Sequence, residues 1–346
     1  MKLSIVIICW NDLKVILNCL KSIFAETRAI EFEVIVSDNG STDDSLARIR
    51  MEFPLVRIIE NGANLGFAKG NNAGVKVASG EYVLILNPDT IINEQALEKL
   101  VSFADRRPEA GAFGCRVLNP DGSYQNPARP LPTVLGCFVS ALNLRGLAAI
   151  SKAFESDVYL QWDGRSERKI GFQSGCCVMF RGGILRQLGG FDERFFYHCE
   201  ETDLCCRVWE AGAEVLFYPG AEVTHLGGQS VGRFPIRFAL ETHRSQYRYF
   251  YKHFGKLGPV RIRRIMLLHL RVRMLGYRLV RLFQGSEALR NRLKMYQVLI
   301  QWNKRLDPVR FIETGEEPDL GYAPLAPAPK MTCSPLENSP SVLAHN

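Results

Sequence analysis

Through the first 110 residues, short runs rich in Ile and Val alternate with longer segments whose apolar residues recur every three or four positions. Leu3–Cys9 is the first run. Leu13–Phe24 follows with apolar residues at 13, 16, 17, 20, 23 and 24, which predicts a strand and then an amphipathic helix. Glu33–Val36 predicts a second strand ending at Asp38, and Ser41 and Thr42 are candidate caps for a helix carrying Leu46, Ile49 and Met51. Val56–Ile59, a Gly/Asn-rich turn and a helix through Ala78 come next. The strand Tyr82–Leu86 and a helix Gln95–Phe103, capped by Asn93, complete the series. Such alternation implies an α/β fold, a mainly parallel sheet with helices on both faces. Ligands gather at the carboxyl ends of strands in these sheets. Trp10-Asn11-Asp12, Asp38 and Asp89 all fall there.

The pattern then breaks. Between Gly111 and Gly171, Pro120, Pro127, Pro130 and Pro132 predict an irregular excursion ahead of the apolar stretch Leu131–Ile150. Order returns with a strand in Gly171–Phe180, a short helix at Ile184–Leu188, a helix over Thr202–Ala211 and a strand Val215–Tyr218. From Pro259 to Phe283 arginines recur at 264, 271 and 278, with Arg261 and Arg281 on nearly the same face. Two readings of this basic amphipathic helix stand: an interfacial helix, or a helix docked on the domain with a solvated arginine face. After about Glu313 the enrichment in Pro, Ala and Ser predicts disorder. The expected organisation is a domain over 1–230, with a nucleotide-binding part (1–110) and an acceptor-binding part (111–230). A basic helical region over 231–312 and a disordered tail over 313–346 follow.

Composition adds one asymmetry. The formal net charge of the 346 residues is +7, yet Arg233 to Arg310 holds 19 Lys/Arg against three acids. That stretch is expected to face phosphates, of lipid head groups or of a substrate. The ten cysteines form no C-x-x-C pair, so buried, reduced thiols and a cytoplasmic setting are expected. No uncharged apolar segment reaches the length of a membrane span.

The apolar run stopping at Asn87-Pro88-Asp89 puts a carboxylate at the rim of a buried sheet, where a hard divalent cation accepts oxygen ligands and a diphosphate can complete its shell. After the first strand there is no G-x-G-x-x-G, which argues against a dinucleotide cofactor, and no G-K-[ST] follows. Five motifs occur in order: Ile5-Val6-Ile7-Ile8-Cys9-Trp10-Asn11, Val36-Ser37-Asp38-Asn39-Gly40-Ser41, Asn64-Leu65-Gly66-Phe67-Ala68, Leu86-Asn87-Pro88-Asp89-Thr90, and Gly189-Gly190-Phe191-Asp192 ahead of Glu200-Glu201. Together they resemble the family 2 glycosyltransferases of the GT-A fold, especially the rhamnosyltransferase-like bacterial members.

The resemblance implies an inverting hexosyltransferase with Mg²⁺ or Mn²⁺ as cofactor. It implies nucleotide-sugar contacts at Cys9, Asn11, Asp38, Asn64, Gly66, Lys69, Asn71 and Asn87, with Asp38 on the base. Asp89 and His225 match the metal ligands, Asn87 standing where the family commonly has a first carboxylate. Glu201, with Glu200 beside it, matches the catalytic base. Asp203, which could instead orient the loop, and Trp162 are candidates for the acceptor. The donor expected is dTDP-rhamnose, with UDP-hexoses as competitors. The acceptor is a saccharide or lipid-linked saccharide, at an anionic membrane surface on the cytoplasmic side. A nucleotidyltransferase and a catalytically silent saccharide-binding protein are the other classes. Acids at a helix start, a glycine-rich turn, an Asp-Asn-Gly turn and a structural histidine are the plain readings of the same residues.

Overall fold

Leu3–Cys9 forms strand β1, parallel to β2 (Phe32–Asp38) on one side and to β4 (Tyr82–Leu86) on the other. The computed structural model describes residues 1–149, 151, 154, 158–159, 162–227, 234–281 and 286–322. Their packing divides into two units. The first takes the described residues of 1–131, 161–196 and 200–229; the second takes those of 132–160, 197–199 and 230–346.

The first unit is built on a nine-stranded sheet. Its remaining strands are β3 (Arg57–Glu60), β5 (Thr90–Ile92), β6 (Ala110–Leu118), β8 (Arg168–Lys169), β10 (Cys177–Arg181) and β11 (Glu214–His225), and β7 (Ala128–Arg129) and β9 (Phe172–Gln173) form a separate ribbon. The main order is β3-β2-β1-β4-β10-β6-β11-β5, with β8 paired to β11. β10 runs antiparallel between β4 and β6, while β11 is parallel to β6. Leu3, Ile5 and Ile7 pack with the helices α1 (Leu13–Glu26), α2 (Ser45–Glu52) and α4 (Ala96–Asp105) in one core.

The opposite face of β1 carries Val6 and Ile8, covered by α3 (Gly66–Val75). This helix has three glycines, which lower helix propensity, and the packing explains two of them. A Cβ on Gly74 would lie 2.5 Å from Val6 Cγ1, and one on Gly70 would lie 2.9 Å from Asn39 Oδ1. Bare backbone is what lets α3 approach the sheet.

Several local expectations are corrected. Ser41 and Thr42 do not cap α2: Ser41 Oγ accepts from Asn11 N, the N-cap position is Asp44 without a side-chain cap bond, and Asp43 Oδ1 just before it accepts from Ser45 N. Asn93 does not cap α4 through its side chain, which donates instead to Thr224 Oγ1. The excursion expected from Gly111 begins later, because Ala110–Leu118 is a fully ordered strand. Its small residues hid it; Gly114 is required there, since a Cβ would meet Gln173 Oε1 at 2.4 Å. Gly171–Phe180 is two short strands rather than one.

The second unit is helical: α5 (Val134–Ala141), α8 (Pro235–Phe254), α9 (Leu257–Arg281), α10 (Glu287–Arg305) and α11 (Pro308–Thr314). The described residues of 132–160, grouped above with the acceptor part, cluster with the C-terminal helices. Tyr247, Trp302 and Phe311 are fully buried in its core. The tail expected from Glu313 is pinned at first, as Arg244 donates from Nε and Nη2 to both oxygens of Glu317. Residues 323–346 lie outside the described residues.

A polar network sits beside Trp302. Tyr247 Oη donates to Asn303 Oδ1, and Asn303 Nδ2 donates to His243 Nδ1 at 2.9 Å. Burial pushes the His243 imidazole down to about 4. The folded state thus holds His243 neutral, and its stabilising contribution is complete above the ordinary histidine pKa. It is lost as the pH falls from about 6.5 toward 4. We expect helical circular dichroism in denaturant titrations to report lower stability at pH 5 than at pH 7. His243→Gln should flatten that dependence.

Candidate active site

Two stretches of backbone bring the strongest sequence candidates together. β4 delivers Asn87, and after Pro88 the chain turns through Asp89 into β5. That short strand pairs with the end of β11, so Thr90 lies opposite His225. The register sets His225 Nε2 3.2 Å from Asp89 Oδ1 and 3.4 Å from Asn87 Nδ2. Asp89 is buried, and it caps no helix because Thr90–Ile92 is a strand.

The other ring nitrogen decides what this pair can hold. His225 Nδ1 lies 2.7 Å from Gln125 Oε1. Gln125 Nε2 donates to Asn119 Oδ1 at 2.8 Å and to the His225 carbonyl at 3.3 Å. The amide nitrogen is thereby committed, the oxygen is turned to Nδ1, and in the neutral ring Nδ1 carries the proton. Nε2 then presents a lone pair to an Asp89 carboxylate oxygen. Two electron-pair donors facing each other at this spacing suit a cation. Asp89 and His225, with Asn87 beside them, therefore fit a divalent cation. Gln125 was not legible from sequence: it sits in the proline-flanked excursion, 100 positions before His225, and nothing local marks it.

The acidic pair lies in the first turn of α7 (Glu200–Glu210), entered through His198 and Cys199, both at φ 71°. Glu200 and Glu201 are only 3% and 9% exposed, and Oε2 of each has no hydrogen-bond partner among the described residues. A helix N-terminus alone would lower a carboxyl pKa. Burial first, and then the Glu201 charge, instead hold the Glu200 carboxyl well above the usual carboxylate range. The protonated form of Glu200 is thereby favoured.

Cys176 braces the turn that carries Asp89. Its carbonyl accepts from Asn87 N at 3.0 Å and from Thr90 Oγ1 at 3.2 Å. Its thiol is pushed up by burial, then by Cys177, Asp89 and Glu201.

The remaining candidates divide. Asp38 ends β2 opposite Cys9, and its carboxylate accepts from Gly40 N and Ser41 N, the turn-forming geometry of the plain reading. Asn11 ties the same loops together, its Oδ1 accepting from Thr42 N and Asp43 N. Burial raises the Cys9 thiol to about 11, so it is a neutral neighbour of Ser41. Asn64 Oδ1 accepts from Gly66 N at the start of α3. Gly66, at φ 81°, admits no Cβ because Phe196 O would lie 2.5 Å away. Lys69 is exposed. Asn71 is buried, donates to Phe67 O, and leaves Oδ1 without a partner among the described residues.

Neighbouring Asn72, given no role from sequence, holds the Gly-Gly-Phe-Asp turn through both Phe191 N and Phe191 O. Asp203 is fully buried and accepts from Arg207 Nε, while Arg207 donates to Leu188 O and Gly190 O; these bonds match the loop-orienting reading of Asp203. Trp162 is a correction. Its ring packs on Phe217 at 4.6 Å, eight positions along β11 from His225, on the order of 20 Å at strand rise. The structure does not bring it to the site.

The chain matches the family Glycosyl transferase family 2 over residues 4–189. It belongs to glycosyltransferase family 2. Among relatives of this glycosyltransferase, the N-acetylglucosaminyl-diphospho-decaprenol L-rhamnosyltransferase of Mycobacterium tuberculosis is 33% identical over 231 residues, covering 62% of this chain and 73% of that protein. Rhamnosyltransferase WbbL of Escherichia coli is 25% identical over 205 residues, covering 56% and 72%. The mannosyltransferase PcManGT of Pyrobaculum calidifontis, solved with GDP-Man and Mn²⁺, superposes at a TM-score of 0.55 over 88% of each chain, with 15% identity. GalNAc-T7, solved with UDP, GalNAc and Mn²⁺, superposes at 0.52 over 73% of this chain and 50% of its own, with 16% identity. At such identities the two structures support the shared GT-A fold alone.

Two outcomes test the geometry. Gln125→Ala frees the imidazole to rotate or change tautomer, and should weaken Mn²⁺ binding about 10–100-fold in electron paramagnetic resonance titrations. Glu200→Gln removes a carboxyl whose raised pKa costs folding stability as pH rises above its unfolded value. Its gain in Tm over wild type should be larger at pH 8 than at pH 5.

Proposed function

We propose that this glycosyltransferase moves a rhamnosyl group from dTDP-rhamnose to a hydroxyl of a lipid-linked saccharide in cell-surface polysaccharide synthesis, with inversion at the anomeric carbon. The reading is supported by one observation above all: the pairing of β5 with β11 sets His225 Nε2 3.2 Å from the buried Asp89 carboxylate, a donor pair suited to the cation that a departing diphosphate calls for.

Glu201 accepts the proton of the acceptor hydroxyl as its oxygen bonds to the anomeric carbon. The bond from that carbon to the diphosphate breaks, and its electron pair leaves with the nucleoside diphosphate. A divalent cation held by Asp89 and His225 would neutralise the charge that develops there. Glu200, whose protonated form is favoured by burial and then by Glu201, can donate a hydrogen bond to a sugar or acceptor oxygen. Around the base and ribose, Asp38, Asn11, Asn64, Gly66, Lys69 and Asn71 are the proposed contacts. Asp38 has lone pairs left beyond its turn bonds for an imide N–H.

The rhamnosyl donor and lipid-linked acceptor are inferred from the relatives in Mycobacterium tuberculosis and Escherichia coli. The cytoplasmic face of a membrane is the proposed place of action. Family membership leaves the nucleotidyltransferase alternative without support. The test is transfer, or donor hydrolysis, with a panel of dTDP- and UDP-sugars and Mn²⁺. Asp89→Ala and Glu201→Gln should each lower kcat at least about 100-fold. Full turnover in both variants would overturn the assignment, and turnover with a UDP-hexose but not dTDP-rhamnose would overturn the donor.

A further inference from the structure

The outer face of α9 carries a second apolar stripe that the fold does not use. Over its first half the helix is docked: Ile262, Met266 and Leu270 are buried, and α9 packs against α8 and α10. Tyr277 extends that inner face, stacking on Tyr296 of α10 at 5.6 Å. Beyond Leu270, Leu275 and Leu279 are 61% and 54% exposed, and Val272 is exposed with them. At about 100° per residue, these three share one stripe roughly 60° wide, on the side opposite Met266 and Leu270. Arg271 and Arg278 run along one border of the stripe. Helix α9 holds seven arginines and no acid. Arg271, Arg273, Arg278 and Arg281 make no ion pair among the described residues. No helix among those residues is long and apolar enough to cross a membrane.

We propose that this face of α9 docks on an anionic lipid bilayer, lying in the interface with Leu275, Leu279 and Val272 turned toward the acyl chains. The arginines bordering the stripe can extend their heads to lipid phosphates while their stems cover apolar surface. Charge selects this occupant over a second copy of the chain. A symmetric pairing of two such faces would set arginine borders against each other with no acid in either helix. The sequence left docked and interfacial readings as alternatives; the first half of α9 is docked, and the proposal assigns the second half to the interface. The inference deepens the proposed function by locating the surface at which a lipid-linked acceptor would be met, and rests on that reading only for the acceptor.

The test is flotation of the full chain with vesicles of phosphatidylcholine alone or with about one-third phosphatidylglycerol, the salt dependence being read in the same series. Wild type is expected to float with the anionic vesicles only, and less at high salt. Arg271→Gln with Arg278→Gln, and separately Leu275→Ser with Leu279→Ser, should each reduce the floated fraction at least fivefold. Both pairs are exposed and lie outside the catalytic unit, so transfer to a water-soluble acceptor should be unchanged. Transfer to a vesicle-borne acceptor should fall with the floated fraction. A wild type that stays unbound to anionic vesicles overturns the proposal, as does flotation that neither double variant reduces. So does a dimer, seen by light scattering, that the leucine variants dissolve. Flotation of wild type without any sugar transfer would support this surface while refuting the proposed reaction.

Discussion

The antiparallel pairing of β5 with the end of β11 is the constraint on which the site depends. Asp89 and His225 lie 136 positions apart, and only the register Thr90 opposite His225 puts the imidazole on the carboxylate. A two-residue slip along that ladder would move the ring by about 7 Å, beyond any shared ligand. The register is anchored from below by the parallel run of β11 along β6, and an irregularity between Tyr218 and Glu222 lets the strand change course before it meets β5. The imidazole's orientation is then settled by an amide from elsewhere in the chain, Gln125.

A second set of contacts holds the acidic pair. Asn72 on α3 grips the Gly189–Asp192 turn by its backbone, and Arg207 on α7 holds the same turn by two carbonyls while bonded to Asp203. α3 can reach that turn because Gly70 and Gly74 let it lie close to β1, and a Cβ on Gly190 would meet Asn72 Oδ1 at 2.5 Å. Glycines that look like turn formers in the sequence are spacers in the packing. The buried carboxyls of Glu200 and Glu201 therefore start from a fixed platform.

Most of the parallel half of the sheet was legible because Ile/Val runs and 3.6-residue spacing mark buried strands and covering helices without ambiguity. Asp89 was legible for the same reason, as the first acid after such a run. What escaped depended on distant partners. β6 reads as a loop until Gln173 is known to need the space above Gly114. Asp203 looks like one more acid at a helix start until Arg207, one turn on, is seen to claim it. Trp162 belongs to a local packing pair with Phe217, which no spacing argument could reveal. The pKa of Glu200 followed burial rather than the helix end, since desolvation outweighs a partial charge once a group leaves water.

The place of β10 in the sheet has a consequence for biosynthesis. It is the central antiparallel strand, seated between β4 and β6, yet it ends only at Arg181. While the ribosome is making residues 119–181, β4 and β6 each present an open edge rich in unpaired peptide groups, the kind of template on which nascent chains stick to one another. Closure of the sheet is therefore a late event in the life of each molecule, and a polypeptide released before Arg181 would carry both raw edges into the cell.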